Sequence, residues 1–389
     1  MTRHIGRREF LQVTGSAAAA AMMANVQRAI AFAAGIPSVG QQDNPDAEGG
    51  SSNIDWNSET LVFNEIYGNP PLLGRVHFGN RLSIFTEPSP NSGRVRNVFG
   101  GYVGPVWKAV HGERYDSRGW SDVWYETNDG YLHSSFFIPC HEVFHEPEEV
   151  TGNGFWGEVT VPYNYQHRRP SFEGYRYDYD HYKIMYGQVH RVIERADDEL
   201  GNAWYRLYDD IEPNRQGWVQ AKTIRHILPE ELHPISPEVA DKKIVIDLGK
   251  QFIHCYEAGV EVFVTRIASG KTYYTDKGEA IDFSTPEGAY HVQRKRPSRR
   301  MRSSPNMDPS LKYDINGVPW CTYFSFTGAA VHGAHWHNNF GIPRSHGCIN
   351  VLPDAGKWIF RWSQPYLGYD DDYHWVEDGE VATPIEIVL

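Results

Sequence analysis

The chain has 389 residues, 14% of them aromatic, and a formal net charge of −12. A length of this order accommodates two or three domains with a sizeable core, and the aromatic content excludes a largely disordered protein. The acidic balance argues against a general nucleic-acid binder. The four cysteines, Cys140, Cys255, Cys321 and Cys348, form no CxxC pair, so neither a zinc ribbon nor a disulfide scaffold is expected. Were Cys348 catalytic it would stay a free thiol, leaving at most one disulfide among the other three.

In chain order, Arg7-Arg8-Glu9-Phe10-Leu11 precedes a short Ala- and Met-rich stretch and the small-residue site Ala31-Phe32-Ala33. A basic start, a modest apolar run and an A-x-A-like end make a signal peptide. The paired arginines resemble the twin-arginine type, with Gly6 where Ser or Thr is usual. The apolar run is broken by Asn25, Gln27 and Arg28, short of the roughly 18 apolar residues a membrane span needs. Residues 1–34 are therefore assigned to a cleaved signal, with no transmembrane segment expected after its removal. Residues 35–59, rich in Gly, Ser, Asn, Asp and Pro, read as a linker.

Residues 60–145 and 146–235 show a weak duplication. Val123-Trp124-Tyr125-Glu126 followed by Gly130-Tyr131-Leu132-His133 parallels Ala203-Trp204-Tyr205-Arg206 followed by Gly217-Trp218-Val219-Gln220. Alternation from Val159 to Tyr163 and from His181 to Ile193 adds strands. The pattern resembles bacterial SH3-like barrels. Its aromatics either fill the barrel cores or stack on wall sugars and peptides, and core is the commoner use of such residues.

Residues 241–389 form a third, mainly β, unit. Lys242 to Leu248 and Gln251 to Glu257 read as strands joined at Gly249-Lys250, with further strands at Val260–Ser269, Ala289–Lys295, Pro319–Phe326 and Ala329–His332. Pro353 to Trp362 reads as a helix: Pro353 suits the first helical position, Asp354 the first turn, and Pro365 follows its end.

Within this unit, His332-Gly333, Phe340-Gly341 and Ser345-His346-Gly347-Cys348-Ile349-Asn350 resemble the L,D-transpeptidase signature. His332 stands 16 positions before Cys348, and Thr285-Pro286-Glu287-Gly288 resembles the family's Thr-Pro-x-Gly turn. The resemblance implies a β-sandwich catalytic domain with a helix after the nucleophile, preceded here by one or two SH3-like barrels.

It also implies roles. A free thiol has a pKa near 8.5 and needs a base. Cys348 is then the nucleophile and His332 the base that holds the thiolate as an ion pair, its imidazole oriented by the Gly333 carbonyl. Backbone N–H groups of Gly347 and Cys348 would receive the oxyanion. His346 would polarise the site or hold the loop. Ser345 and Asn350 would bind the loop or the substrate.

The run Arg294-Lys295-Arg296-Pro297-Ser298-Arg299-Arg300-Met301-Arg302 is read as a loop over the site, either a lid whose Arg296 and Arg299 pair with substrate carboxylates or a solvated segment. The implied partners are peptidoglycan stem peptides, outside the cytoplasm. The implied reaction is a 3→3 cross-link through a Cys348 thioester. An L,D-carboxypeptidase, with water resolving the thioester, remains open.

No cofactor or metal is called for. His332, His335, His337 and His346 cluster in sequence, but there is no HExxH motif. A papain-like order would place the Cys before its His, leaving only His374. A wall-binding protein without catalysis is the reading of another class.

Overall fold

A computed structural model of the chain describes residues 60–62, 72–115, 121–172, 183–212 and 216–389. The expected signal and linker, residues 1–59, lie outside the described residues. No described helix is long and apolar enough to cross a membrane.

The sheets fall into three groups along the chain. The first joins a six-stranded sheet, including Arg81–Phe85, Val123–Thr127 and Gly130–His133, to a three-stranded one of Leu73–Val76, Val103–Pro105 and Phe137–Cys140. The second has a five-stranded sheet, including Phe155–Val159, Val189–Asp197, Ala203–Leu207 and Trp218–Gln220, and a two-stranded ribbon of Tyr163–Tyr165 with Lys183–Met185. The expected strand from His181 to Ile193 is thus two strands. Gly187, at φ +79°, turns the chain between them.

The two Trp-Tyr hairpins pair in the same register. Trp124 faces His133 and Tyr125 faces Leu132; Trp204 faces Gln220 and Tyr205 faces Val219. All four aromatics are buried, so they serve as core rather than as an exposed stacking surface.

The third group is a sandwich of two five-stranded sheets. One runs in the order Val260–Arg266, Phe252–Glu257, Lys242–Asp247, Pro384–Val388, Gly288–His291. The other runs Ile349–Val351, Ala330–Gly333, Asp314–Tyr323, Arg294–Arg302, His374–Trp375. Ile244, Ile246 and Ile253 from the first sheet meet Val331, Ile349 and Val351 from the second in one core, closed by Ile359 and Trp362 of the helix Pro353–Trp362.

The helix has the expected bounds. Pro353 costs no hydrogen bond at the first turn. Trp358 stacks on Phe263 with 4.3 Å between centroids. Two buried ammonium groups answer the terminal carbonyls that a helix leaves unpaired. Lys242 Nζ donates to Trp362 O at 2.9 Å, and Lys295 Nζ donates to Phe360 O, Ser363 O and Pro365 O. Burial, and then the charge of Lys242, push the Lys295 ammonium well below the ordinary lysine range.

The basic run is a strand rather than a lid. Arg294–Arg302 pairs with Asp314–Tyr323. Arg296 and Arg299 both bond Asp210, and Arg300 bonds Asp209 and Asp314 at 2.7 Å each. Arg302 reaches Glu212 at 3.2 Å. The charge that looked available for a ligand is spent on an acidic turn of the second unit and on a neighbouring strand. The segment that joins the two strands is Ser303–Tyr313, and Tyr313 packs on His346 with ring centroids 4.9 Å apart.

Further contacts tie the sandwich to the preceding units. Trp156, Val189, Ile227 and Leu232 share a hydrophobic cluster with Trp320 and Phe360. Lys357 on the helix bonds Glu231 at 2.7 Å. The first unit meets the loop after Gly333 directly: Asn338 N–H donates to Ser135 O at 3.2 Å, Asn338 Nδ2 to Ser134 O at 3.3 Å, and Arg75 to His335 O.

The helix seats on the strand Ala330–Gly333 through two glycines. A Cβ on Gly356 would lie 2.9 Å from Gly333 N, and one on Gly333 would lie 2.8 Å from Pro319 Cγ and Pro353 Cα. Gly356→Ala is therefore expected to lower stability by about 1–3 kcal/mol through overpacking, despite alanine's better helix propensity. Denaturant unfolding of the two proteins measures this, and a Gly356→Ala protein as stable as the parent would contradict the packing argument.

Candidate active site

A short parallel ladder joins the strand that carries His332 to the strand that follows Cys348. Val331 pairs with Ile349, His332 with Asn350 and Gly333 with Val351. Side chains alternate across a strand, so His332, Asn350 and Cys348, one step before the ladder, belong to the same face. Cys348 is half-buried, and its Sγ lies 3.9 Å from Gly328 O. His332 is buried and stacks obliquely on Trp336, centroids 5.7 Å apart. Its Nδ1 lies 3.1 Å from Gly333 O. A carbonyl only accepts, so Nδ1 carries the proton and Nε2 presents a lone pair.

The loop that carries Cys348 is laced to the segment 267–271. Gly341 N–H donates to Ile267 O at 2.7 Å, Arg344 and Ser345 N–H both donate to Ser269 O at 2.7 and 2.9 Å, and Lys271 N–H donates to Ser345 O at 3.2 Å. Asn350 and Ala268 exchange N–H···O bonds at 3.0 and 2.9 Å. Thr285 straps the turn itself, with Oγ1 accepting from Gly270 N–H at 2.9 Å and donating to Gly347 O at 3.0 Å. This approach demands Gly270, whose Cβ would sit 2.0 Å from Phe283 O and 2.9 Å from Gly347 Cα. Gly347 has φ +108°, a backbone state that favours glycine.

The candidate oxyanion donors are not equivalent. Gly347 N–H is already given to Ser345 Oγ at 3.1 Å, and Ser345 Oγ in turn donates to Cys348 O. In the free protein Ser345 thus organises the turn, and Cys348 N–H is the member of the expected pair without that engagement.

His346 points into a cage of Tyr273, Phe283 and Tyr313, at centroid distances of 4.3, 4.7 and 4.9 Å. The Tyr273 stack is near parallel, at 15°. Burial, then Lys271, lowers its pKa, so the ring is a neutral packing element of the loop.

Asn350 is buried, and its side-chain amide lies 3.0 Å from His337 Nε2. His337 Nδ1 accepts Asn339 N–H at 3.2 Å. A neutral imidazole accepts at one nitrogen only, so Nε2–H donates and the amide turns its oxygen to the ring. Its NH2 is then the interior polar group left over.

The four histidines do not converge. His332 bonds Gly333 O, His335 Nε2 lies 3.3 Å from Asn316 O, His337 bonds Asn350, and His346 is caged by aromatics. Among the described residues no group of three His, Cys, Asp or Glu side chains is placed to hold a metal ion. Cys140, Cys255, Cys321 and Cys348 are all free thiols.

Burial sets the protonation of the pair. It pushes the Cys348 thiol up to about 11, against the help of one backbone N–H from Ala330. It pulls His332 down to about 4, against the Gly333 hydrogen bond. Burial thus disfavours the charged form of each group, thiolate and imidazolium alike. The roles of Thr285, Gly270, Gly356 and Tyr313 follow from these contacts. Only the Thr-Pro-x-Gly turn signalled any of them in advance.

Residues 241–387 match the YkuD family, the L,D-transpeptidase catalytic domain. The match covers less than half of the chain. A crystal structure of an Enterococcus faecium L,D-transpeptidase with its cysteine changed to serine is 22% identical over 39% of this chain and 51% of its own, with a TM-score of 0.28. The isolated catalytic domain of an E. faecium L,D-transpeptidase is 25% identical over 38% of this chain and 98% of its own, with a TM-score of 0.28. L,D-transpeptidase 3 from Mycobacterium tuberculosis is 18% identical over 45% and 74%, with a TM-score of 0.29. The chain spans about half the length of the first of these. No curated protein matches the chain significantly.

A thiol raised to about 11 predicts that alkylation of Cys348 by a neutral reagent such as iodoacetamide climbs about tenfold per pH unit from pH 7 to pH 9. Raising the pKa disfavours the thiolate, so the reactive fraction keeps growing through this window. Mass-resolved labelling measures it. A plateau already reached by pH 7 would indicate a resting ion pair instead.

Proposed function

We propose that the protein is an exported peptidoglycan L,D-transpeptidase that joins stem peptides by 3→3 cross-links through a thioester on Cys348. The observation that carries the reading is the ladder of residues 331–333 with 349–351, inside the stretch that matches the L,D-transpeptidase catalytic domain. In support, the ladder joins the His332 strand to the strand that follows Cys348, and the Gly333 carbonyl fixes which His332 nitrogen is free.

The chemistry follows from the neutral pair. As the donor peptide covers the site, the Cys348 proton passes to His332 Nε2. Sγ attacks the carbonyl carbon of the third residue of the stem, and Cys348 N–H receives the oxyanion. Collapse breaks the peptide bond, and the leaving D-alanine amine takes the proton from His332. The side-chain amine of a second stem then attacks the thioester, gives its proton to His332 and displaces the thiol, which is reprotonated. Starting from neutral groups places the cost of charge separation in the complex, where developing charges meet oriented donors rather than water.

Export through the twin-arginine route accords with residues 1–34, and the extracytoplasmic wall is where the substrate lies. The two preceding units, 60–145 and 146–235, are proposed as SH3-like barrels, a reading supported by the common register of their Trp-Tyr hairpins.

A carbapenem is expected to add to Cys348 with the mass of one intact molecule. Cys348→Ala should abolish the adduct, and His332→Ala should slow its formation by about 10²–10⁴-fold, the scale of a lost general base. Absence of adduct on the parent protein sinks the proposal. Digestion of treated cell wall should yield 3→3-linked dimers, and trimmed tripeptides in their place would make the enzyme an L,D-carboxypeptidase.

A further inference from the structure

Arg344 stands immediately before the nucleophile loop's Ser345, and its backbone is held at both ends. Its N–H donates to Ser269 O at 2.7 Å, and its carbonyl accepts the Tyr273 hydroxyl. Its guanidinium lies over the ring of Phe136, 5.4 Å from the centroid. Phe136 comes from the first unit, in the turn between Gly130–His133 and Phe137–Cys140. The turn is anchored to the active-site loop by Asn338, which bonds the neighbouring Ser134 and Ser135.

The guanidinium is partly desolvated, and this lowers its pKa. Among the described residues it has no ion pair and no side-chain hydrogen bond. The arginines of the basic strand differ in this respect: Arg296, Arg299, Arg300 and Arg302 are each matched to carboxylates. The Phe136 ring meets the guanidinium as a cation–π partner and takes up none of the N–H donors of its edge. That edge is shaped for two oxygens of one carboxylate.

A donor peptide acylating Cys348 ends in a carboxylate one residue beyond the bond that is cut. Arg344 lies four residues before Cys348 on the same loop, a chain span of at most about 14 Å.

We propose that Arg344, backed by Phe136 of the first unit, is the specificity residue that binds the terminal carboxylate of the donor stem peptide. The first unit is then a wall of the substrate site, not a tether. This rests on the L,D-transpeptidase reading of the Cys348 site. The arginine reads its ligand by charge and planarity, so a neutral amide at the same place forfeits the paired contact.

The test compares a stem tetrapeptide donor with its C-terminal carboxamide, using the full chain. The parent should favour the carboxylate in kcat/KM by about 10- to 100-fold, the scale of one charge-assisted contact. Arg344→Gln should bring the ratio close to one, mainly through KM. Arg344→Lys should restore only part of it, because an ammonium lacks the planar fork. Phe136→Leu, which keeps an apolar side chain but removes the ring, should lower the ratio in the same direction. Thermal unfolding and the iodoacetamide labelling rate of Cys348 check that each variant keeps its fold and its nucleophile. A parent without preference, or an Arg344→Gln protein that keeps it, overturns the assignment while leaving the transpeptidase intact. If the parent turns over neither donor and Cys348 takes up no carbapenem, the transpeptidase reading fails and the carboxylate site falls with it.

Discussion

Three residues of parallel ladder, Val331–Gly333 against Ile349–Val351, are the constraint on which the rest of the sandwich depends. A parallel pair has no hairpin to set its register. The register is fixed from outside instead. The helix Pro353–Trp362 begins two residues after Val351 and lies back across the ladder. The contact of Gly356 with Gly333 lets it approach to backbone distance. On the other side, Ala268 bonds Asn350 in both directions, and Thr285 ties Gly347 to Gly270. The nucleophile turn is thus held at its start, its middle and its end by partners from three parts of the sequence. The glycines at 270, 333 and 356 are needed because these approaches leave no room for a Cβ.

The electrostatics of the site follow from the same closeness. Backbone packed this tightly leaves little room for water, and dry surroundings disfavour charge. Burial therefore favours the neutral forms of Cys348 and His332. The single proton donor that fixes the imidazole is aimed at a carbonyl, not at a carboxylate. A carboxylate there would favour imidazolium and cost the base its lone pair in the resting protein. The Gly333 carbonyl orients the ring with only a small rise in its basicity, so the ring stays ready to accept.

The parts of this arrangement legible in the sequence are those with local signals. The helix was readable to its ends because Pro353 and Asp354 mark its start and Pro365 follows its finish. The strand pair that opens the sandwich was readable from alternation. The candidate nucleophile Cys348 and candidate base His332 came from a string of residue types that resembles a family signature. What failed was the basic run 294–302. Its density of charge reads as solvated loop, yet its partners Asp209, Asp210 and Glu212 lie 86 to 91 residues away, and no local pattern reports a long-range ion pair. Lys295 inside that run is a buried cap for a helix end 65 residues on, an equally non-local use. The Gly347 N–H to Ser345 bond was likewise not legible, because whether that N–H faces Ser345 or a ligand depends on the turn, not on residue type.

The same distinction separates Arg344 from the arginines that misled. A run of basic residues draws attention by number, but Arg296, Arg299, Arg300 and Arg302 each have a carboxylate within reach, and a matched charge has little left to offer a ligand. Arg344 is isolated in sequence and inconspicuous, and its partner is a ring from another unit. Desolvating a cation without an anion is unfavourable, so the fold holds Arg344 there only because the Phe136 turn is docked by other means. Those means are contacts to backbone carbonyls: Asn338 to Ser134 and Ser135, and Arg75 to His335. Each couples the first unit to the loop that follows the base, and none uses the charge of Arg344. The unspent charge therefore sits beside the nucleophile loop, on a unit boundary held by groups that do not compete for it.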